Sequence, residues 1–252
     1  MYWSGKKIIE SGIVKNFGDR ALQPSSIDVR LSDDFKIYRN IVRNPPRLQL
    51  LKIEEKNDYS SFKADKICLL NKHENVNDVK RALKLNGLKN YKLVKGLLLG
   101  STIEWFDIPK ECVGFYTGRS SVGRLGVMSH ITAGLLDNGW SGRITLEMAC
   151  VDNPVLLHAG MRIGQVSIAG VEGELTTYNG KYQNQKGCEI SKMYEDDDNF
   201  SIERKIIFKY REGYSIKEIS NDLNVNKEEI VEVLSKAGYN IISDVLKEMT
   251  GD

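Results

Sequence analysis

The chain has 252 residues, of which 41% are hydrophobic and 28% are charged, and its formal net charge is +2. This composition is typical of a folded globular protein and gives no overall attraction to nucleic acid or to an anionic membrane. No apolar run approaches the roughly 20 residues of a membrane helix, and the N-terminus lacks the apolar core of a signal peptide, so we expect a cytoplasmic protein.

The first 91 residues predict two helices, one strand and a charged insertion. A short helix is expected over residues 5–11, and alternating apolar and polar side chains predict a strand over residues 27–31. An insertion then occupies about residues 45–91. Within it, apolar residues recur at helical spacing over residues 77–85, and Gly87 follows as a C-cap.

Short apolar runs, separated by Gly, Pro, Asn and Asp, dominate the stretch from Tyr91 to Gly170. The runs are residues 97–99, 113–115, 144–148, 155–157 and 163–168. Short strands at such regular spacing indicate an all-β barrel or sandwich.

The pattern changes after Gly170. An acidic run at residues 195–198 indicates a solvated linker. Beyond it, apolar spacing predicts a helix-turn-helix of about 25 residues, with Ser215 and Asn226 as N-caps. We therefore expect a β domain over residues 1–194 and a helical appendix over residues 200–252.

The four cysteines are Cys68, Cys112, Cys150 and Cys188, and no two are close enough in sequence to form a Cys-x-x-Cys metal pair. The His-x-Glu and Pro-Cys-x-x-Cys elements of zinc-dependent nucleobase deaminases are also missing from the sequence. If this chain deaminates a nucleobase, it must do so without zinc.

Residues 118–126 (GRSSVGRLG) have the composition of a phosphate-binding loop. Small residues let backbone amides approach phosphate oxygens, the hydroxyls of Ser120 and Ser121 can donate, and the guanidinium groups of Arg119 and Arg124 can bind in a bidentate manner. The tetrapeptide Gly-Arg-Ser-Ser alone is equally compatible with a surface turn.

Two carboxylates follow within thirty residues. Asp137 precedes Asn-Gly, a sequence that usually forms a turn, and Glu147 ends a predicted strand, where it would ordinarily face solvent. Next to a phosphate-binding loop, however, the two could handle a sugar hydroxyl and a water molecule.

Taken together and in order, these segments resemble the dCTP deaminases of the trimeric dUTPase-like superfamily. The matching segments are residues 23–31 (QPSSIDVRL), 99–104 (LGSTIE), 118–126, 130–134 (HITAG), 137–142 (DNGWSG), 144–147 (ITLE), 160–165 (GMRIGQ) and 178–187 (YNGKYQNQKG). The resemblance covers about residues 5–192. It implies a distorted β-barrel or jelly roll, a homotrimer and a substrate of dCTP or dUTP.

The resemblance also implies roles for individual residues. Glu147 would be the general base for the water that attacks C4 of cytosine, and Asp137 would hold the deoxyribose 3′-hydroxyl. The residues implied in binding the rest of the nucleotide are Arg119, Ser120, Ser121, Arg124, Thr132, Ala133, Ile144, Gln165, Tyr178, Lys181 and Gln185. Arg119 would reach a neighbouring subunit's site, and backbone groups near Ile144 would read the pyrimidine edge. Mg²⁺ would bind the substrate phosphates rather than a set of protein ligands.

Three activities of the superfamily fit these segments. Residues 132–137 (TAGLLD) resemble bifunctional deaminases that carry dCTP through to dUMP, whereas deaminases that stop at dUTP tend to have a bulkier, basic pair after the alanine. Plain dUTPases share Ala-Gly-x-x-Asp but end in a glycine-rich arm, in contrast to residues 178–187. The resemblance favours a bifunctional deaminase, with the dUTP-forming deaminase and the plain dUTPase as alternatives.

The appendix allows a hypothesis of a different class. A helix-turn-helix fused to a nucleotide site would suit a nucleotide-responsive regulator that binds DNA or protein through its tail. The second helix, however, begins with Glu228 and Glu229, whose charges would repel phosphate. The simpler interpretation is a helical module that packs on the barrel, on a partner or between trimers.

Overall fold

The computed structural model describes residues 1–38, 57–193 and 202–239. These residues form two compact units, of which the first contains 1–38 and 57–191 and the second contains 192–193 and 202–239. The first part of the expected insertion, the acidic run at 195–198, the linker that would divide the two domains and the end of the appendix lie outside the described residues.

The first unit is built mainly from β-strands. Its strands are β1 (Val14–Lys15), β2 (Ile27–Tyr38), β3 (Tyr59–Lys63), β4 (Lys66–Leu70), β5 (Lys92–Lys95), β6 (Leu98–Thr102), β7 (Trp105–Asp107), β8 (Cys112–Gly118), β9 (Val127–Met128), β10 (Leu135–Leu136), β11 (Ser141–Gly142), β12 (Thr145–Cys150), β13 (Val155–His158) and β14 (Arg162–Gly170). Its helices are α1 (Gly5–Glu10), α2 (Val76–Leu85) and α3 (Ser120–Gly123). The mainly β fold class expected from the spacing of apolar runs is confirmed.

The largest sheet is curled. Its strand order is β10-β8-β14-β2-β6-β12-β9, with β3 pairing with β2 off this path. Six inter-strand steps would place the ends of a flat sheet about 29 Å apart. Yet β9 ends at Met128 and β10 begins at Leu135, and the chain between them spans at most about 25 Å when fully extended. The sheet must therefore curl, and residues 129–134 bridge its open side.

The concave interior holds one apolar core. Phe35, Leu98, Leu146 and Met148 are at most 1% exposed there and belong to a single cluster of buried side chains. On β12, buried residues alternate with partly exposed ones, as the period of two along a strand requires. This alternation places Glu147 on the opposite face from Leu146 and Met148.

Two smaller sheets flank the curled one. One has the order β1-β7-β11, and the other has the order β13-β4-β5 with β4 and β5 parallel. Helix α2 packs on the second through a separate cluster that includes Val79, Leu83 and Leu70. The predicted helix at 77–85 is confirmed, and Asn86 rather than Gly87 is its C-cap residue.

Strand β2 is longer than the sequence pattern indicated. It continues past Leu31 to Tyr38 because it pairs with β14 first and with β6 and β3 afterwards. The register shifts between Leu31 and Phe35. This irregularity breaks the simple alternation on which the prediction rested.

The second unit contains three helices around its own core. They are α4 (Ile202–Arg211), α5 (Ile216–Leu223) and α6 (Lys227–Lys236). The predicted N-caps are confirmed: Ser215 accepts a hydrogen bond from Glu218 N in a capping box, and Asn226 accepts one from Glu229 N. The fully buried side chains are Ile206, Ile219, Ile230 and Leu234.

Candidate functional site

Glu147 lies beside the segment that bridges the open side of the sheet. Its Oε2 atom is 2.8 Å from Nδ1 of His130, and it accepts a hydrogen bond of 3.3 Å from the backbone N–H of Ile131. Its side chain is 30% exposed. The Nδ1 atom of His130 is buried, and its close contact with Glu147 lacks the alignment of a directed hydrogen bond.

These contacts determine the charge of Glu147. Burial alone would raise the pKa of the carboxyl, but the contact with His130 and the amide of Ile131 outweigh that effect, and the pKa of Glu147 is lowered. The side chain is therefore a carboxylate near neutral pH, which is the form that can accept a proton from water.

The imidazole of His130 is held by Tyr116. The two ring centroids are 5.3 Å apart, and the Tyr116 hydroxyl lies 3.0 Å from Oγ of Ser129 in a buried hydrogen bond. Burial raises the pKa of Tyr116, so its hydroxyl stays protonated. Gly164 leaves space for this ring, since a Cβ atom there would lie 2.2 Å from the tyrosine oxygen.

Asp137 lies at the start of a turn that receives the C-terminal part of the first unit. We call residues 176–191 the flap. The backbone N–H of Tyr178 donates to Asn138 O (2.8 Å), and the indole N–H of Trp140 donates to Tyr182 O (3.0 Å). The side-chain amide of Gln183 accepts from Ser141 N and donates to Gly139 O, both at 2.8 Å. The turn that contains Asp137 is therefore tied to the flap.

Further along the flap, Gln185 pairs with the neighbouring turn. Its carbonyl accepts the backbone N–H of Arg143 at 2.9 Å, and its side-chain Oε1 is buried without a hydrogen-bond partner. Lys181 lies with Nζ 5.7 Å from the ring centroid of Tyr182. An unsatisfied buried oxygen is costly unless something supplies a donor, so Oε1 of Gln185 is an acceptor that still lacks a donor among the described residues.

The predicted phosphate loop starts where β8 ends. Ser120 and Ser121 are exposed at the start of α3, and Arg124 is exposed at its C-cap. Arg119 lies with Nε 3.4 Å from Oδ2 of Asp28, which is 2% exposed. The exposed hydroxyls and the exposed guanidinium group of Arg124 can meet phosphate oxygens from solvent, whereas the partly exposed guanidinium of Arg119 is paired with Asp28.

The remaining predicted site residues lie in different surroundings. Thr132 and Ala133 are exposed in the bridging segment beside Glu147. Gln165 on β14 lies with Oε1 3.4 Å from Oγ of Ser26. Ile144 is buried, and both of its backbone groups bond to Thr102, at 3.0 Å each. The two backbone groups of Ile144 itself are therefore engaged inside the sheet, and the backbone on either side of it stays the predicted reader of the pyrimidine edge.

Three residues with clear structural links to the site were not singled out in the sequence. Asp28 is the buried partner of Arg119 and of Arg162, whose Nη1 lies 2.9 Å away. Gln183 and Asp34 hold the flap. Asp28 and Gln183 both lie within segments that carry the family resemblance, which was the available signal, whereas nothing near Asp34 in sequence indicates its role.

Comparison with known proteins identifies the family of this chain. Residues 4–171 match the family model described as dCTP deaminase-like. The chain belongs to the dCTP deaminase-like family.

Individual members of the family are similar over most of their length. The chain is 34% identical over 188 residues to a protein of Corynebacterium jeikeium (strain K411) named dCTP deaminase, dUMP-forming, with 70% of this chain and 85% of that protein covered. It is 33% identical over 186 residues to a protein of Methanococcus aeolicus with the same name, with 72% and 86% covered. The crystal structure of 2′-deoxycytidine 5′-triphosphate deaminase from Agrobacterium tumefaciens is 13% identical, with a TM-score of 0.44 over 66% of this chain and 48% of that one.

The described residues also limit what the site can hold. Within 1–38, 57–193 and 202–239, no three His, Cys, Asp or Glu side chains are grouped so that they could hold a metal ion. In the same part of the chain, no helix is both long and apolar enough to cross a membrane.

Proposed function

We propose that this protein deaminates dCTP and carries the product through to dUMP. The reaction consumes dCTP and two water molecules and yields dUMP, ammonia and diphosphate. The observation that carries the proposal is the match, over most of the chain, to relatives named dCTP deaminase, dUMP-forming. The geometry of Glu147 supports the same conclusion, because an ionised carboxylate beside an exposed loop suits water activation.

In this proposal Glu147 acts as the general base. It takes a proton from water as the oxygen attacks C4 of cytosine, and it delivers that proton to the departing amine, which leaves as ammonia. A nucleotide seated over Glu147 would exclude solvent and raise the pKa of the carboxyl. The base would therefore bind protons more readily once substrate is present.

Asp137 has two proposed roles, one at the sugar and one in the hydrolysis of dUTP. We propose that it accepts the 3′-hydroxyl of deoxyribose and helps to place the water that releases diphosphate. The flap would cover the nucleotide, with Tyr178, Lys181 and the free acceptor of Gln185 turned to it. Gln165 would support a phosphate or a water.

The phosphates would be held by Arg119, Ser120, Ser121 and Arg124. These side chains are donors for phosphate oxygens and not ligands for a metal, so Mg²⁺ would arrive already bound to the triphosphate. When bound, Mg²⁺ neutralises phosphate charge during diphosphate release. We further propose a homotrimer in which Arg119 reaches a neighbouring subunit's nucleotide.

The protein would act in the cytoplasm. Its four cysteines are free and buried, which suits a reducing compartment. The helices of the second unit are not assigned to DNA, because α6 exposes Glu228, Glu229 and Glu232 and acidic groups repel the phosphate backbone.

One incubation separates the three activities. Purified protein is mixed with dCTP and Mg²⁺, and ammonia, dUTP and diphosphate are followed together. Ammonia and diphosphate in equal amounts, without accumulation of dUTP, are expected. Ammonia with dUTP alone would mean that the reaction stops after deamination. No ammonia from dCTP, but diphosphate from dUTP, would contradict the deaminase. Light scattering on the same sample tests the trimer.

A further inference from the structure

A segment that overlaps the expected insertion at about residues 45–91 carries a charge that the rest of the chain does not share. Residues 59–97 contain nine lysine and arginine residues and three acidic ones, whereas the whole chain has 36 and 34. We call residues 59–97 the basic insertion. The near-neutral total therefore conceals a local excess of positive charge, and the proposed deaminase chemistry makes no use of it.

The fold places most of these charges on the layer formed by α2 and the sheet β13-β4-β5. Lys80, Arg81 and Lys84 are exposed on α2, whose buried residues Val79 and Leu83 face the other way. Lys89 is exposed in the connection that follows, and Lys92 is exposed at the start of β5. Because α2 ends where this connection begins, its last turn, the connection and the first residue of β5 meet at the same end of the layer.

A second strand adds to this end. β4 runs parallel to β5, with Ile67 opposite Lys92. Lys66 therefore also lies at that end, and Lys92 extends over the ring of Phe62, 5.2 Å from its centroid. Asp65 is the acidic residue of the basic insertion at this end, since Glu74 and Asp78 lie near the start of α2.

Internal ion pairs use little of this charge. Lys63 pairs with Asp33 at 3.3 Å, and Lys95 donates to the backbone carbonyl of Glu74 at 2.8 Å. Lys84 and Lys89 make no salt bridge with the residues that the structure describes. Exposed like charges held close together repel one another, so an anion that covers this surface lowers its free energy.

The side chains exposed on this surface indicate which kind of anion it binds. A helix that binds a membrane directs its apolar face outward into lipid, but Val79 and Leu83 of α2 are buried in the protein. A protein interface usually has an apolar centre, but the large apolar side chains exposed in the basic insertion are only Leu85 and Leu97. A row of lysine and arginine without an apolar centre matches a chain of phosphates.

We propose that the basic insertion binds the phosphodiester backbone of a nucleic acid. The contact is independent of base sequence, because the rings of Tyr59, Phe62 and Tyr91 are only partly exposed and form no platform for stacking on bases. Duplex DNA binds more tightly than single-stranded RNA, because its charge density is higher. None of the residues of the basic insertion belongs to the proposed nucleotide site, so we expect that dCTP does not displace the nucleic acid.

The number of phosphate contacts sets how steeply the affinity for nucleic acid falls with salt. If four side chains, such as Arg81, Lys84, Lys89 and Lys92, each neutralise one phosphate, the affinity falls about a hundredfold between roughly 50 and 200 mM salt. A protein held by apolar contacts or by base recognition alone would show a much smaller change.

The test uses the full-length protein and fluorescence anisotropy with a labelled 20-base-pair duplex. Lys84→Glu/Lys89→Glu is compared with Lys6→Glu/Lys110→Glu, which reverses the same number of charges at exposed lysines outside the basic insertion. We expect the first variant to lose at least tenfold in affinity at about 50 mM salt and the second to change by less than twofold. Both variants should retain the turnover of the parent protein, which shows that they fold.

Several outcomes would overturn the inference. They are no binding of the parent protein at low salt, an equal loss in both variants, or binding to phosphatidylserine vesicles but not to nucleic acid. Unchanged binding after Lys84→Glu/Lys89→Glu would place any nucleic-acid contact elsewhere in the chain. Each result is independent of whether dCTP is the substrate, since the assay contains no nucleotide and turnover is measured separately. Single-stranded RNA of 20 nucleotides, run in parallel, distinguishes the two kinds of nucleic acid.

Discussion

The carboxylate of Asp34 accepts the backbone N–H of Cys188 at 2.8 Å, which joins the middle of β2 to the flap. The other oxygen of Asp34 accepts the hydroxyl of Ser101 at 2.7 Å. Gly187 fits tightly above this carboxylate, since a Cβ atom there would lie 2.7 Å from Oδ2. Asp34 is therefore an anchor for the segment that carries Gln185.

Replacing this anchor should loosen the flap. In Asp34→Asn, one acceptor becomes an amide nitrogen, and we expect a loss of about 1–3 kcal/mol in the free energy of unfolding at pH 7, together with a higher KM for dCTP. Urea unfolding and steady-state kinetics measure the two effects. Asp33→Asn is the control, because Asp33 pairs with Lys63 at the surface and surface pairs contribute little. Equal behaviour of the two variants would refute the anchor.

The same anchor predicts a pH dependence. Burial raises the pKa of Asp34, but the hydrogen bonds from Cys188, Ser32 and Ser101 outweigh it, so the pKa is below its usual value of 3.8. A lowered pKa stabilises the fold above the unfolded-state pKa, and this contribution is lost as the pH falls through the folded-state value. The stability difference between the parent protein and Asp34→Asn should therefore be complete at pH 7 and shrink below about pH 3.8. A constant difference down to pH 2 would contradict this assignment.

Gly139 tests the contact between the turn after Asp137 and the flap. It has φ of +80°, and a Cβ atom there would lie 2.7 Å from Cβ of Thr177. Gly160 also has φ of +80° but has no atom within 4 Å of such a Cβ. Both alanine variants share the backbone strain of about 1 kcal/mol, so only Gly139→Ala should also displace the flap and raise KM several-fold. The same KM in both variants would show that this contact does not matter to substrate binding.

His130 should act on the reaction through Glu147. Because the contact with His130 lowers the pKa of Glu147, His130→Asn should raise that pKa and move the acid limb of the rate profile to higher pH. We also expect kcat to fall by about tenfold or more, because the carboxylate loses its fixed orientation. His158→Asn, at an exposed histidine, should leave the profile unchanged. An unchanged acid limb in His130→Asn would remove His130 from this role.

Local sequence chemistry predicted much of the fold. Apolar runs marked most of the long strands, and Ser215 and Asn226 marked the starts of α5 and α6, because capping depends only on residues three positions away. The register shift in β2 and the role of Asp34 could not be predicted in this way. The partner of Asp34 is 154 positions along the chain, and such a contact exists only once the sheet has curled.

The functional site, like the fold, was predicted from the sequence only in part. Family resemblance indicated Glu147 and Asp137, but not the contact of Glu147 with His130, which depends on how residues 129–134 cross the open side of the sheet. It also indicated the backbone around Ile144 as the reader of the pyrimidine edge, and the structure bonds the two backbone groups of Ile144 itself to Thr102. A motif indicates which residues occur together, and the hydrogen bonds of the folded chain decide which of their groups remain available.

Glu147→Gln keeps the size of the side chain and removes its ability to accept a proton, so this variant separates binding of dCTP from its deamination. Ammonia release from dCTP is measured alongside dCTP affinity by calorimetry, with Glu172→Gln at an exposed position as the matched control. We expect Glu147→Gln to bind dCTP within a few-fold of the parent affinity but to release ammonia at least about a thousandfold more slowly. Ammonia release at the parent rate would contradict the proposed role of Glu147.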